Sequence, residues 1–285
     1  MPETTGQAGI GIDLPTTSRE TLGDLLTELD RREIDGPTDG LDELGDQLRS
    51  IAALTSREPG LRRALTEPSR AGQDRAELAR RLFSGRVSEP AVEIAAAAAA
   101  GRWSAPRDLV DALDLTATAA EVAAADRAGQ LDSLEDDLFR FSRIVAGTSA
   151  LRTALSDRSA PADSRAELVR RLLADRTGPA ATRLAVAAAT DMRSRPIEVA
   201  LDEVADVVAA RRNRVVAVVR VAAPLTDEQR DRVAALLARQ AGRPVQLNII
   251  EDPSLVGGFR AEVGETVLDA SVSSRLSEAR RRLAG

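Results

Sequence analysis

Arg75-Ala-Glu-Leu-Ala-Arg-Arg-Leu82 returns ninety residues later as Arg165-Ala-Glu-Leu-Val-Arg-Arg-Leu172. The same spacing sets Leu61-Arg-Arg-Ala-Leu65 on Leu151-Arg-Thr-Ala-Leu155, Pro106 on Pro196 and Leu44 on Leu134. Between 61–83 and 151–173, 12 of 23 positions are identical without a gap. Coincidence does not explain this; the chain carries a tandem duplication. Unit one occupies about 17–112 and unit two 113–213, and residues 1–16 read as a disordered tail.

Both units read as helical. Leu131, Leu134, Leu138, Phe141 and Val145 form an i, i+3, i+4 stripe, and Leu41, Leu44, Leu48 and Ile51 repeat it in unit one, the pattern of a helix with one buried face. Shorter helices follow near 148–156, 162–174 and 178–192, and Pro196 suits the first turn of another that runs to about Asn213. Each unit is expected to be a six-helix bundle. Between Pro106 and Ala128 there is no Gly or Pro, so one unbroken helix is expected to close the first bundle and open the second.

After Arg214 the period changes. Val215-Val-Ala-Val-Val-Arg-Val-Ala-Ala223 is β-branched and apolar, which predicts a strand. Thr226-Asp-Glu-Gln229 has the form of a capping box, and Val233, Leu236 and Leu237 are read as the buried face of the helix it opens. Val245, Leu247 and Ile249, then Phe259, Ala261 and Val263, alternate along two further strands, and a short fourth covers 266–268. A last helix carries Val272, Leu276, Ala279 and Leu283 as one stripe. The fold class expected is therefore mainly α with a C-terminal α/β part: two tandem six-helix bundles followed by a small αβ layer domain at 214–285.

Composition narrows the chemistry. The 285 residues include no Cys, His or Tyr, and all 39 basic residues are Arg. Thiolate and imidazole sites, a P-loop lysine and Schiff-base catalysis are thereby excluded. Aromatic residues are 2% of the chain, so the cores must be filled by Ala, Leu, Val and Ile. A net charge of −6 argues against nucleic acid as a partner. Residues 1–17 show neither a basic segment nor an apolar one of the signal-peptide kind. No apolar run approaches the roughly 20 residues that span a bilayer. The chain reads as soluble and intracellular, with no catalytic, cofactor or metal-binding motif.

Ala222-Ala-Pro-Leu-Thr226 after a strand, Asp252-Pro-Ser-Leu-Val-Gly-Gly-Phe259, Gly264, and Asp269-Ala-Ser271 ahead of Arg275-Leu276 resemble the C-terminal signature of ATP synthase delta subunits, whose mitochondrial counterpart is the oligomycin sensitivity conferral protein. Unit two resembles the helical domain of that family, so 113–285 covers the ordinary family length and unit one is extra, as in enlarged actinobacterial forms. Ala270 stands where Gly is common. The resemblance implies a peripheral-stalk, or stator, subunit on the cytoplasmic face of the cell membrane. Its helical domain would bind N-terminal helices of the alpha subunits and its C-terminal domain the end of the b subunit, so that the head resists rotor torque. It implies no enzymatic activity and no cofactor. Helix-in-groove docking points to a groove between 115–128 and 179–191, with Ala119, Val122, Ala185 and Ala188 as floor residues. Unit one offers the same groove through its run of alanines at 95–100. The alternative is an α-helical adaptor or regulatory protein unrelated to ATP synthase.

Each feature also has a plainer reading. Alanine runs suit internal helix–helix packing better than a guest groove. Gly257-Gly258 lacks the lysine of a phosphate loop and precedes a strand, so a turn or bulge that re-aims Phe259 fits it better. Asp252 before Pro253 suits a turn and Asp269 a turn or cap, rather than an acid–base pair. The Arg pairs at 80–81, 170–171 and 211–212 suit solvated faces or helix C-termini. Trp103 falls at a helix junction, as a satellite core contact.

Overall fold

The computed structural model describes residues 14–35, 40–157, 159–190, 195–213, 215–241, 245–252, 255, 258–263 and 266–269. Among them the helices are α1 (Thr16–Asp35), α2 (Leu41–Arg57), α3 (Pro59–Thr66), α4 (Gly72–Phe83), α5 (Glu89–Ala100), α6 (Pro106–Arg127), α7 (Leu131–Gly147), α8 (Ser149–Ser156), α9 (Ala162–Leu173), α10 (Pro179–Thr190), α11 (Ile197–Arg212) and α12 (Asp227–Ala241). The strands are β1 (Val215–Val221), β2 (Val245–Glu251), β3 (Phe259–Val263) and β4 (Thr266–Asp269). The chain divides into two compact units, one of Ile10–Arg211 and one that contains Arg212–Gly285.

The sequence repeat is written into the element boundaries. Helices α2, α3, α4 and α5 recur as α7, α8, α9 and α10, each beginning and ending ninety residues after its counterpart. Helix α6 has two counterparts: at the same spacing it follows α1 and precedes α11. It starts with Pro106 in its first turn, where the missing N–H costs nothing, and runs 22 residues without a break, or about 33 Å. Helices α1, α2, α5, α7 and α10 all pack on it, so Leu109, Leu113, Ala117, Ala120 and Val122 are buried on several of its sides.

The expected stripes face inward. Leu41, Leu44, Leu48 and Ile51 of α2 are buried, as are Leu134, Leu138, Phe141 and Val145 of α7. One apolar cluster runs from Leu22, Leu25 and Leu29 through Ile94, Leu109 and Leu113 to Leu184, Val204 and Val208. A second gathers Phe141, Val145, Leu155, Val169, Leu173, Ile197 and Leu201. Each large aliphatic side chain removed from water this way contributes about 1.5–3 kcal/mol. Trp103 is half-buried against the first cluster, and its indole N–H donates to the Ala98 carbonyl at 2.8 Å.

Two polar arrangements also recur at the ninety-residue spacing. The Gln47 side-chain oxygen accepts the backbone N–H of Ser88 at 2.9 Å, ahead of α5. Asp137 accepts that of Gly178 at 2.8 Å, ahead of α10. Both satisfy donors that a helix start leaves open. The arginine that leads the repeated motif has the opposite task. Arg75 is buried and donates to the carbonyls of Ala99, Ala100 and Gly101 at the end of α5, at 2.8, 3.0 and 2.8 Å. It also reaches those of Glu67 and Arg70. Arg165 donates to Ala189, Asp157 and Ala160 in the same way. The planar guanidinium fork suits such convergent carbonyls.

In the C-terminal unit the described strands form one sheet of order β2-β1-β3-β4. β1 and β2 are parallel, with Val215 opposite Val245, joined through α12. β3 runs antiparallel to β1, with Val221 opposite Phe259, and β4 antiparallel to β3. The capping box forms: Thr226 N–H donates to Gln229 Oε1 at 2.8 Å and Gln229 N–H to Thr226 Oγ1 at 3.3 Å. Val233 and Leu237 are buried with Val219, Val221, Leu247 and Ala261. Leu236 is 41% exposed, contrary to its expected place on the buried face. The sheet takes the 233–237 line, and Leu236 is left on the shoulder of the helix.

The final helix at 272–283 and Gly264, Ala270, Ser271 and Arg275 lie outside the described residues. At the other end, Leu14 is buried and α1 already begins at Thr16, so the expected tail of 1–16 meets ordered structure at its last residues.

Candidate partner interface

Helix α6 is the hub of the helical unit, and α2 lies against it unusually closely. A Cβ placed on Gly45 of α2 would stand 2.7 Å from Glu121 Cγ and 3.1 Å from the Ala117 carbonyl oxygen of α6. A side chain at this position would force Glu121 aside and press on the Ala117 carbonyl. Beside it sits Glu121, which has no exposed surface. Arg49 of α2 donates to Glu121 Oε1 at 2.5 Å and lies 3.5 Å from Asp114 Oδ1. Arg183 of α10 lies 3.8 Å from Glu121 Oε2 and 3.8 Å from Asp42 Oδ2 of α2. The line Asp114–Arg49–Glu121–Arg183–Asp42 therefore ties α6, α2 and α10 together. Burial pushes the Glu121 carboxyl above its usual range, against the pull of Arg49 and Arg183, and Asp46 pushes it the same way. Removing one partner from such a buried group costs far more than breaking a surface pair.

Next to this network, between α2 and α10 with α6 as its floor, opens a cleft of about 510 Å³. Arg49 and Ala53 line it from α2, Val110 and Asp114 from α6, Ala187 and Thr190 from α10.

The four residues expected to floor a groove lie in or against the two apolar clusters. Val122 is wholly buried and Ala119 half-buried against the larger cluster. Ala185 and Ala188 belong to the second cluster, and Ala188 also lines a small cavity of about 20 Å³ with Leu115, Thr118 and Val204. The alanine run of α5 is mostly buried too: Ala95, Ala96, Ala98 and Ala99 are 0–4% exposed. Helices α6 and α10 meet around that small cavity and together line the larger cleft.

Of the C-terminal motif, Asp252 N–H donates to the Val221 carbonyl at 2.8 Å, and the Asp252 carbonyl accepts from Leu255 N–H at 3.1 Å. Gly258 has φ 79, a conformation that favours glycine. Phe259 begins β3 and packs on the sheet core. Pro253 and Gly257 lie outside the described residues. No cluster of potential metal ligands occurs among the described residues, and no described helix is long and apolar enough to cross a membrane.

Sequence reasoning missed Gly45, Arg49, Glu121 and Arg183. One signal was present: Glu121 is the sole charge in the small, apolar stretch 115–125. It also missed the role of Arg75 and Arg165. A base in the first turn of a helix opposes the dipole, so its duplication in both copies signals a tertiary partner.

The profile of the ATP synthase delta (OSCP) subunit family matches residues 117–283, beginning inside α6. The protein called ATP synthase subunit delta in Kineococcus radiotolerans is 51% identical over 241 residues, 85% of this chain and 87% of that one. That of Streptomyces griseus is 41% identical over 270 residues, 95% of this chain and 99% of that one. ATP synthase subunit b-delta of Mycobacterium sp. (strain KMS) is 40% identical over 274 residues, 96% of this chain and 62% of that one. With the profile matched from the middle of α6 onward, and relatives of the same name matched over most of their length, the chain belongs to the ATP synthase delta (OSCP) subunit family.

Proposed function

We propose that the protein is the non-catalytic peripheral-stalk subunit that holds the catalytic head of an F-type ATP synthase to its b subunit. In this reading each sequence unit is a six-helix bundle and α6 belongs to both. The helical part receives N-terminal helices of alpha subunits, the small αβ domain receives the end of b, and the protein sits on the membrane only through the complex. The observation that carries the reading is the alignment, over nearly its whole length, with proteins named ATP synthase subunit delta. The relative whose name joins b and delta supports b as the second partner.

A subunit that resists torque needs stiffness, and an unbroken 22-residue helix between the two copies supplies it. The α6–α10 pair, with Ala119, Val122, Ala185 and Ala188 in its packed faces, is the framework of the docking groove. The test is retention of the purified chain by the isolated catalytic head, with alpha subunits intact or trimmed of their N-terminal segments. Binding that disappears on trimming is expected. No binding to the intact head by the folded chain overturns the reading.

A further inference from the structure

Glu121 is the charged meeting point of the two copies. It lies on α6, which both copies use, and faces Arg49 of copy one and Arg183 of copy two. Copy two does not repeat this arrangement: Phe139 corresponds to Arg49 and Arg211 to Glu121. The two carboxylate oxygens are held differently. Oε1 accepts the hydrogen bond from Arg49 at 2.5 Å. Oε2 is buried without a hydrogen bond, and so is the Arg183 Nε that lies 3.8 Å from it. At that distance the attraction is charge on charge, beyond hydrogen-bond reach. The other ionic partner of Arg183 among the described residues is Asp42 of α2, also at 3.8 Å. Asp42 is half-exposed, and a pair of that kind holds weakly. Asp46 of α2 and Asp114 of α6 complete the charged surroundings.

A proton arriving at this carboxyl goes to Oε2, because Oε1 is already engaged by Arg49. The new O–H then faces the Arg183 N–H, donor against donor, and the charge that held Arg183 is gone. The Arg183 side chain is 32% exposed, so it can turn to water. Glu121 cannot follow: α2 covers it at Gly45, and Arg49 still donates to Oε1. We propose that Glu121 and Arg183 form a proton-operated latch between α2 and α10, shut while Glu121 is ionised; when Glu121 takes up a proton, α10 is released and the cleft of about 510 Å³ between the two helices widens. The latch stands apart from the function proposed above. Which way pH drives it depends on which state holds the proton better. Burial already raises the Glu121 carboxyl against the pull of Arg49 and Arg183. After release the carboxyl loses Arg183 and keeps its cover, so it is raised further. Release therefore takes up a proton and is favoured as pH falls. Unfolding exposes Glu121 and gives that proton up. Local release and global unfolding thus draw on this carboxyl with opposite signs.

The absence of cysteine makes the test direct. Ser50→Cys on α2 and Ala187→Cys on α10 place two spin labels on opposite walls of the cleft. Their separation in the full chain is measured from neutral pH down through the titration of Glu121, which carbon-13 NMR of the carboxyl follows. Circular dichroism checks that the helices persist. The separation is expected to grow by about 2 Å or more, the scale of helix shifts in switching proteins, with the midpoint of the Glu121 titration. Glu121→Gln keeps the shape of the protonated acid and turns an N–H toward Arg183; it is expected to be open at neutral pH and insensitive to pH. Arg183→Gln leaves Glu121 and Arg49 in place, and the same result is expected of it. A separation that stays constant while Glu121 titrates overturns the proposal, and so does unfolding with no prior widening. Opening that remains pH-dependent in Glu121→Gln assigns it to another carboxylate and overturns the proposal equally.

Discussion

Helices α2 and α7 hold the same place in the ninety-residue repeat and have different surroundings. Both bury the same apolar stripe, and both send a side chain to cap the helix that starts near Ser88 or Gly178. On its outer flank α2 carries Gly45 and Arg49 against α6. The corresponding residues of α7 are Glu135 and Phe139, and Phe139 is 65% exposed. Where α2 meets α6 it finds Ala117 and Glu121; the counterparts of these in α11 are Val207 and Arg211. A repeat keeps its inner face because its own core requires it. Its outer face follows whatever neighbour the next segment provides.

That comparison breaks most sharply at Arg49. Arg49→Ala strands a buried carboxylate and is expected to lower stability by about 3 kcal/mol. Phe139→Ala, at the matched position, should stay within about 0.5 kcal/mol; urea denaturation of the pair reads the difference, and equal losses would refute the contrast. Gly45→Val drives a branched side chain into Glu121 and Ala117 and should cost about 2 kcal/mol. Glu135→Val on α7 should not, and thermal unfolding of the two variants separates them.

Arg75→Lys and Arg165→Lys keep the charge but lose the fork, and each should cost about 1–2 kcal/mol. A neutral outcome in either would show that charge alone caps those helix ends. The smallest effect concerns pH. Because the Glu121 carboxyl is raised when folded, the folded chain holds that proton to higher pH than the unfolded chain. Its contribution to stability therefore falls as pH climbs from the ordinary carboxylate range through the raised value. Glu93, held low by its hydrogen bond to Arg80, contributes with the opposite sign, its stabilisation fading as pH falls through its lowered value. Glu121→Gln should flatten the first slope, and an unchanged stability–pH curve would argue against a raised carboxyl there.

Much of this architecture could be read before any coordinates. The ninety-residue identity predicts the helix boundaries, the lack of Gly and Pro from 106 to 128 predicts α6, and Thr226 with Gln229 predicts the start of α12. The faces were harder. An amphipathic helix shows its buried side by contrast, as α2 and α7 do. Helices α6 and α10 are rich in Ala, Val and Thr on every side, so nothing in their sequence distinguishes a face turned to α11 from one turned to α2. Val122, Ala185 and Ala188 lie within the packed clusters, while Ala187 and Thr190 of α10 line the cleft. Glu121, Arg49 and Arg183 converge from three helices, and sequence order carries no trace of such a meeting.

Sharing α6 also makes the enlargement reversible on paper. Removing ninety residues that run from the middle of α1 to the equivalent point of α6 deletes four whole helices, α2 to α5, and splices the start of α1 onto the end of α6, with no loop to redesign. The shortened protein would inherit a helix surface shaped to be covered: Ala117 uncovered, Glu121 without Arg49, and Arg183 without Asp42. Trimming this chain to the ordinary family length would therefore call for resurfacing α6 as well as for cutting.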